Sequence, residues 1–530
     1  MKGRTIAILT LLTMLSSVLV VASCTEVSAD ITDVTLDGVL YEIEDNEATA
    51  TETVDQSLRI LTVPESIIVD GKTYPVIGLG PYIVSGSSIA SLHIPSTVRT
   101  IDGIGLSGSS LTEITVDPGN QWFTVVDNVL FTKDMTCIVR YCPGNTATEY
   151  VIPSPVVEIG ASAFESCRLI SVEIPDGVYI ISTGAFESCH NLERINNRDG
   201  MNHLPSKLIM IDVVAFSNCT SLDNIELNEG LKCLGDLSFY RCTSLTEIGI
   251  PYSLTSIGSG CFNGCSSLER FTMEEDNRSV GVIDDVLYGI SDDKPRTLIS
   301  YPGSKGDEVF EIPDTVTSIS FSAFSVCPYL KEVHLSDSMN TVSMGAFFGC
   351  VALETVVGTE KLLSISDMAF NSCSNLTNLI GFDDVRSIGM FAFNGCGFTE
   401  LTIPSSVTDI GVYAFSGCES LESVMVPQSV KYIGMNAFSS CYSLKTIEFL
   451  GTSVEFDEGA LSIGDEDGDV EVTVIVPNGM SLPDDVGGEF TDITVVEKGK
   501  RPYPYENLIG VAICILVLLF IVRRFGRVQA

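Results

Sequence analysis

Histidine and tryptophan are nearly missing from this chain, with four and one copies in 530 residues. His93, His190, His203 and His334 stand in different sequence contexts, so no nucleophile, base and orienting acid can be assembled around any of them. Positive charge is scarce as well: 29 Lys and Arg face 69 Asp and Glu, a net charge of −40. Such a surface repels phosphate backbones, and no nucleic-acid partner is expected. No Cys-x-x-Cys occurs, which removes a zinc site of ordinary spacing. The stretch Asp465-Glu466-Asp467-Gly468-Asp469 comes nearest to a cation loop. Val470 and Val476 stand where an EF-hand needs Gly and Glu, so it reads as a solvated acidic turn. No metal or cofactor is expected. Forty-five Gly and 21 Pro follow no collagen period, and 45% of the residues are apolar, which excludes fibrous and disordered classes.

Apolar runs stand at both ends. Lys2 and Arg4 precede an apolar run from Ile6 to Ala22, and Val27-Ser28-Ala29 follows as a small-residue cleavage site, so residues 1–29 read as a signal peptide. A second reading takes Val21-Ala22-Ser23-Cys24 as a lipoprotein cleavage motif, with a lipid on Cys24. At the other end Leu508 to Val522 carries no charge and is followed by Arg523, Arg524 and Arg527. That run covers roughly 22 Å of a membrane core of about 30 Å, with Tyr503 and Tyr505 as interface anchors. It is expected as a transmembrane helix after a stalk at 498–507, with the body outside the cell and residues 523–530 inside. The rival is a sorting signal cut by a transpeptidase. Residues 30–506 then carry −44.

Between the ends the chain repeats itself. Phe164, Phe186, Phe216, Phe239, Phe262, Phe324, Phe347, Phe370, Phe393, Phe415 and Phe438 follow one another at gaps of 22, 30, 23, 23, 62, 23, 23, 23, 22 and 23 residues. Around Phe415 the unit runs Ile403-Pro404, Val407, Ile410-Gly411, Ala414-Phe415, Cys418, Leu421, Val424, and Val426-Pro427 opens the next. Leu106 marks a weaker copy. Apolar positions at Ala414, Phe415 and Cys418 have helical spacing, whereas Val424 and Val426 alternate as in a strand that Pro427 stops. One unit cannot bury its own apolar face, so neighbours must stack. The expected fold is an α/β repeat solenoid, with a parallel sheet on one side, short helices on the other and the Phe column in the core.

These positions resemble the BspA-like group of leucine-rich repeat surface proteins, whose 23-residue unit carries the same Ile-Pro, Ile-Gly, Ala-Phe, Cys and Leu. The resemblance covers about residues 94–450 and implies the fold strongly. For activity it implies less: members are often surface or secreted proteins implicated in adhesion and in binding host or matrix proteins, and the repeat prescribes no ligand.

The long gaps hold insertions at about 117–151 and 272–311. They copy each other: Val126-Asp127-Asn128-Val129-Leu130-Phe131 matches Ile283-Asp284-Asp285-Val286-Leu287-Tyr288, both expected as β-hairpins. Residues 30–93 and 451–497 are expected as β-rich caps. Eleven cysteines, from Cys167 to Cys441, sit three residues after the repeat Phe and read as a column of small buried hydrophobes. Cys137 and Cys142 flank a turn of the first insertion and are the candidate disulfide pair. Asn218, Asn277 and Asn375 open glycosylation sequons, of which two overlap core positions.

The strand side of the stack is the expected binding face, extended and concave. Of 36 outward positions on it twelve are acidic, namely Glu113, Glu173, Glu193, Asp223, Glu226, Glu247, Glu269, Glu332, Glu354, Glu400, Glu422 and Glu448. Four are basic: Arg194, Arg270, Lys331 and Lys445. The net −8 favours a basic protein patch or divalent cations. A non-enzymatic, membrane-anchored surface protein that binds an extracellular or cell-surface protein is the first expectation. A passive envelope spacer is the second, and a hydrolase within residues 117–151 or 272–311 the third.

Overall fold

Alternation of apolar and polar residues gives each unit two strands, not one. The computed structural model describes residues 32–84, 86–107, 110–274, 277–464, 470–487 and 491–498, which fall into two compact units divided between Asn145 and Thr146. In the second unit, the two-residue strand Asp409–Ile410 pairs in parallel with Ser387–Ile388 before it and Tyr432–Ile433 after it. The longer strand Ser423–Val426 does the same with Glu400–Thr402 and Thr446–Phe449. Ile410, Ala414, Phe415, Cys418, Leu421, Val424 and Val426 are all buried between these two ladders. The Ile-Gly signature has a steric cause: a Cβ on Gly411 would lie 2.6 Å from the carbonyl carbon of Gly389 in the preceding unit.

The helical side is overturned. Among the described residues the one helix is a 3-10 turn, Gly103–Leu106, and the Ala-Phe segments are consecutive turns. The cause lies in the backbone. The residues two before and two after each repeat Phe, such as Ser162 and Ser166 (φ 51° and 58°) or Tyr413 and Gly417 (φ 55° and 68°), are left-handed. An α-helix cannot include left-handed residues at such short intervals. Hydrogen bonds alternate accordingly: Ala163 N–H bonds locally to Gly160 C=O, whereas Ser162, Phe164 and Ser166 donate to Thr183, Ala185 and Glu187 of the next unit. The α/β class is therefore corrected to an all-β solenoid of strands and turns. The expected transmembrane helix, Leu508 to Val522, and the leader 1–29 lie outside the described residues. Among those described, no helix is long and apolar enough to cross a membrane.

The eleven repeat Phe are buried and nine neighbouring pairs stack face to face, with ring centroids 4.7–5.7 Å apart and planes 3–21° from parallel. Such offset stacks add to burial, and removing one buried ring from a core costs about 3–5 kcal/mol. At the second insertion the column is closed by other rings: Phe271 meets Phe262 edge-on at 5.1 Å, and Tyr301 stacks on Phe324 at 5.0 Å. Beside it runs the cysteine column. Cys373 donates its thiol to the carbonyl of Phe347 at 3.1 Å, and the same bond joins Cys219 to Phe186, Cys350 to Phe324 and Cys441 to Phe415.

In the first unit the strands Thr32–Leu36, Val39–Glu44 and Glu47–Thr53 form an antiparallel meander over Tyr41, Ala48 and Ala50. A parallel ladder then runs through Ile60–Thr62, Ser91–Ile94 and Glu113–Val116. The first insertion is a three-stranded meander, Phe123–Val126, Val129–Thr132 and Cys137–Tyr141, turning at Asp127 and Asn128 with φ of 49° and 60°. Cys142 carries a free thiol, so the expected bridge to Cys137 is not formed. The two bracket a single strand, which at about 3.3 Å per residue separates them by roughly 16 Å, against the 7 Å a disulfide tolerates. In the second unit the other insertion, Val280–Ile283, Val286–Ser291 and Lys294–Ser300, is an equivalent meander. Val470–Val476 and Thr491–Glu497 extend the strand face in parallel behind Thr446–Phe449.

Candidate functional site

All twelve acidic positions are at least partly exposed and lie in or beside the longer strands. Glu113 belongs to the first unit, where it accepts a bond from Ser91 Oγ at 3.1 Å. The other eleven belong to the second. Parallel register aligns equivalent residues of successive repeats, and Glu332 thereby stands beside Thr355 and Asn378; the acids, which occupy three different positions of the unit, are spread along the face and converge on no single point. Six meet a base. Arg194 reaches Glu193 at 3.5 Å and also Glu149 at 3.3 Å. Lys445 meets Glu422 at 2.9 Å, Arg270 meets Glu247 and Lys498 meets Glu448. His203 contacts Glu226 at 2.7 Å and His334 contacts Glu332 at 2.6 Å. Lys331 pairs with Glu308 at 2.9 Å, outside the twelve. Glu113, Glu173, Asp223, Glu269, Glu354 and Glu400 form no ion pair among the described residues. The net charge counted along the sequence already included Arg194, Arg270 and Lys445; it missed Lys498, which lies outside the counted positions, and the two histidines.

No trio of His, Cys, Asp or Glu that would hold a metal ion converges among the described residues, and Asp465 to Asp469 lie outside them. Cys261 and Cys265 are poor nucleophiles, because desolvation pushes both up to about 12. Of the sequons, Asn277 uses its amide to hold Tyr252 and Leu254 carbonyls at 3.1 and 2.6 Å, and Asn218 is half-buried, whereas Asn375 is exposed.

The strand face of the second unit is interrupted three times. After Ile195 the extra residues of the long Phe186–Phe216 gap fill the break. Asn202, fully buried, accepts from Ile195 N–H at 3.0 Å and donates to Glu193 and Asn224 carbonyls at 2.8 and 3.0 Å. His203 N–H donates to Ile195 C=O and Glu226 N–H to Asn202 C=O, so this segment acts as an inserted strand. After Thr272 the insertion covers the break, with Phe271 N–H on Asp285 C=O at 3.0 Å. The third, between Asn378–Ile380 and Glu400–Thr402, is not filled. A cavity of about 850 Å³ opens there, lined by Ile365, Leu379, Phe382, Phe393, Phe398 and Phe415 among others. Phe398 stands two residues after Cys396, where most repeats place Leu at three, and Gly381 turns with φ 75° where most repeats carry the buried Ile, Leu or Val that precedes the Pro, with Phe382 at the Pro position. Leu169 also stands two residues after its Cys without breaking the ladder, so the shortening does not act alone.

The family described as BspA type leucine rich repeat region, in six copies, matches residues 136–206, 201–283, 307–396 and 365–463, more than half of the chain. No curated protein matches it. Among solved structures, the chain is similar to a leucine rich cell surface protein of Faecalibacterium prausnitzii A2-165, at 26% identity over 80% of this chain and 96% of that one, with a TM-score of 0.44. A leucine-rich repeat protein of Eubacterium ventriosum ATCC 27560 is 22% identical over 64% and 93%, with a TM-score of 0.48. The pneumococcal vaccine antigen PcpA is 21% identical over 88% and 98%, with a TM-score of 0.40.

Proposed function

The chain belongs to the BspA-type leucine-rich repeat family, and on that premise we propose that it is a non-enzymatic cell-surface protein whose strand face binds another protein through a basic patch. One observation carries the reading: acidic side chains recur in or beside the longer strand of repeat after repeat, and six of the twelve form no ion pair among the described residues. A negative stripe on a rigid ladder attracts a basic surface over a long range and fixes its register. Export of residues 30–506 agrees with the leader read at residues 1–29.

The purified chain, immobilised, is expected to retain specific proteins from envelope or neighbouring-cell extracts. The triple variant Glu173→Gln, Glu269→Gln, Glu354→Gln should weaken that retention several-fold and flatten its dependence on salt. Reproducible failure of the unaltered protein to retain anything would leave only a spacer role. Location has its own test. Protease added to intact cells should cut the body, and protection until lysis would remove surface display.

A further inference from the structure

The unfilled break in the strand face has the geometry of a site. In a parallel ladder, alternate residues turn their N–H and C=O to opposite neighbours. Gly358 N–H bonds to Ile380 C=O, so Ile380 faces back, and Leu379 turns its groups towards the break. Ile403 N–H bonds to Met425 C=O, so Thr402 turns the other way, towards the break from the far side. Among the described residues, Asn378–Ile380 pairs only with Thr355–Val357, and Glu400–Thr402 only with Ser423–Val426. Two strand edges therefore confront each other across an apolar hole that reaches the core rings Phe393 and Phe415. Open edges are templates for a further strand.

We propose that this gap docks an extended segment of a partner protein, one carrying a bulky apolar residue between basic ones. Four observations select that occupant. The chain itself supplies the precedent: at the break after Ile195 a two-residue stretch, Asn202 and His203, bonds both neighbouring strands and closes the ladder. The size is sufficient, because a cavity of about 850 Å³ lies within the range of ligand pockets and takes several side chains of an extended segment. Its mouth is apolar, with Ile380 at 54%, Leu450 at 41% and Met425 at 39% exposure, where a solvated sheet would carry polar groups. The charge is complementary: Asp383 and Glu400 line the gap, no Lys, Arg or His does, and Glu400 is one of the unpaired acids. The proposal rests on the strand face being a binding surface and narrows it to one place, one backbone geometry and one side-chain pattern.

The probe is a fluorescein-labelled peptide, Lys-Val-Lys-Phe-Lys-Val-Lys, titrated against the full chain by anisotropy. A second peptide of the same sequence, N-methylated at alternate amides, keeps charge and side chains but cannot pair with a strand edge. The parent peptide should bind at least ~10-fold more tightly than the methylated one. Thr402→Pro removes an edge N–H that the pairing with Ser423–Val426 does not use, and should weaken the parent peptide by about 5-fold or more. Asp293→Asn, in the exposed turn between Val286–Ser291 and Lys294–Ser300 and outside both the gap and the acidic strand positions, should change it less than about 2-fold. The peptide comparison on the unaltered protein decides the matter if Thr402→Pro fails to fold. Equal affinity of the two peptides overturns strand docking while leaving the acidic-face reading intact. So does a chain that retains partners in extracts yet binds neither peptide, or one whose gap is closed by a second copy of itself in sedimentation. Failure of both peptides and of all retention removes both readings.

Discussion

Cysteine recurs three residues after the repeat phenylalanine because that position asks for two properties at once. It must be small enough to sit between stacked turns, and it must give a donor to the Phe carbonyl of the preceding unit, as Cys396 does to Phe370 at 3.2 Å. Alanine meets only the first demand. Burial gives the thiols a further consequence, since desolvation raises Cys142, Cys261 and Cys265 to about 12 and Cys219, Cys242 and Cys373 well above the ordinary value. In the unfolded chain they ionise near pH 8.5. Between about pH 9 and 12 the unfolded state thus binds fewer protons than the native one, and stability falls as pH rises; below that window it is present in full. Each such thiol contributes a slope of up to about 1.4 kcal/mol per pH unit. Urea unfolding under reductant should show a midpoint at pH 10.5 well below that at pH 8, and Cys261→Ala with Cys265→Ala should flatten the dependence. An unchanged midpoint would mean that the thiols are open to solvent.

At the scale of elements, Asn202 shows how the ladder survives an irregular repeat. Its amide takes the place of a peptide group, so Asn202→Ala leaves Ile195 N–H and the Glu193 and Asn224 carbonyls without that partner. A cost of about 3 kcal/mol is expected, because buried polar groups lose their bonds without regaining water. Hydrogen exchange should rise across residues 193–226 and stay unchanged around Phe415, since a stacked repeat contacts only its neighbours. Exchange rising equally in both places, or in neither, would contradict that role. The sequence made some elements plain and hid others for definite reasons. The Phe and Cys columns were legible because a fixed period repeats the same chemistry eleven times. The turns were misread because Ala414, Phe415 and Cys418 have the spacing of a helical face, and consecutive turns hinged on left-handed residues such as Tyr413 and Gly417 have it too. The better signal was glycine at positions such as Gly184, Gly345 and Gly417, but Ser, Val, Leu and Phe occupy equivalent left-handed sites, as at Val214 and Phe391, and mask it. The gap after Ile380 was invisible because it depends on pairing between repeats.

Over the whole molecule the dominant fact is the net charge of −40. The ion pairs seen, such as Lys445 with Glu422 and Arg194 with Glu149, join exposed groups, and each contributes about 0–1 kcal/mol. Self-repulsion, by contrast, acts between every pair of unneutralised acids within a screening length, which is about 30 Å at 0.01 M salt and about 8 Å at 0.15 M. Repeats about 4.8 Å apart along a ladder place many acids inside the longer distance and few inside the shorter. Repulsion should therefore win, and folding should be weakest in dilute buffer. The unfolding temperature is expected to rise by a few degrees between 10 mM and 300 mM sodium chloride, and by a similar amount in sodium perchlorate at equal ionic strength, since screening depends on charge and not on the identity of the ion. A fall over the same range would mean that the pairs along the strand face outweigh repulsion, and the six unpaired acids would then be too weakly charged a stripe to steer a basic partner.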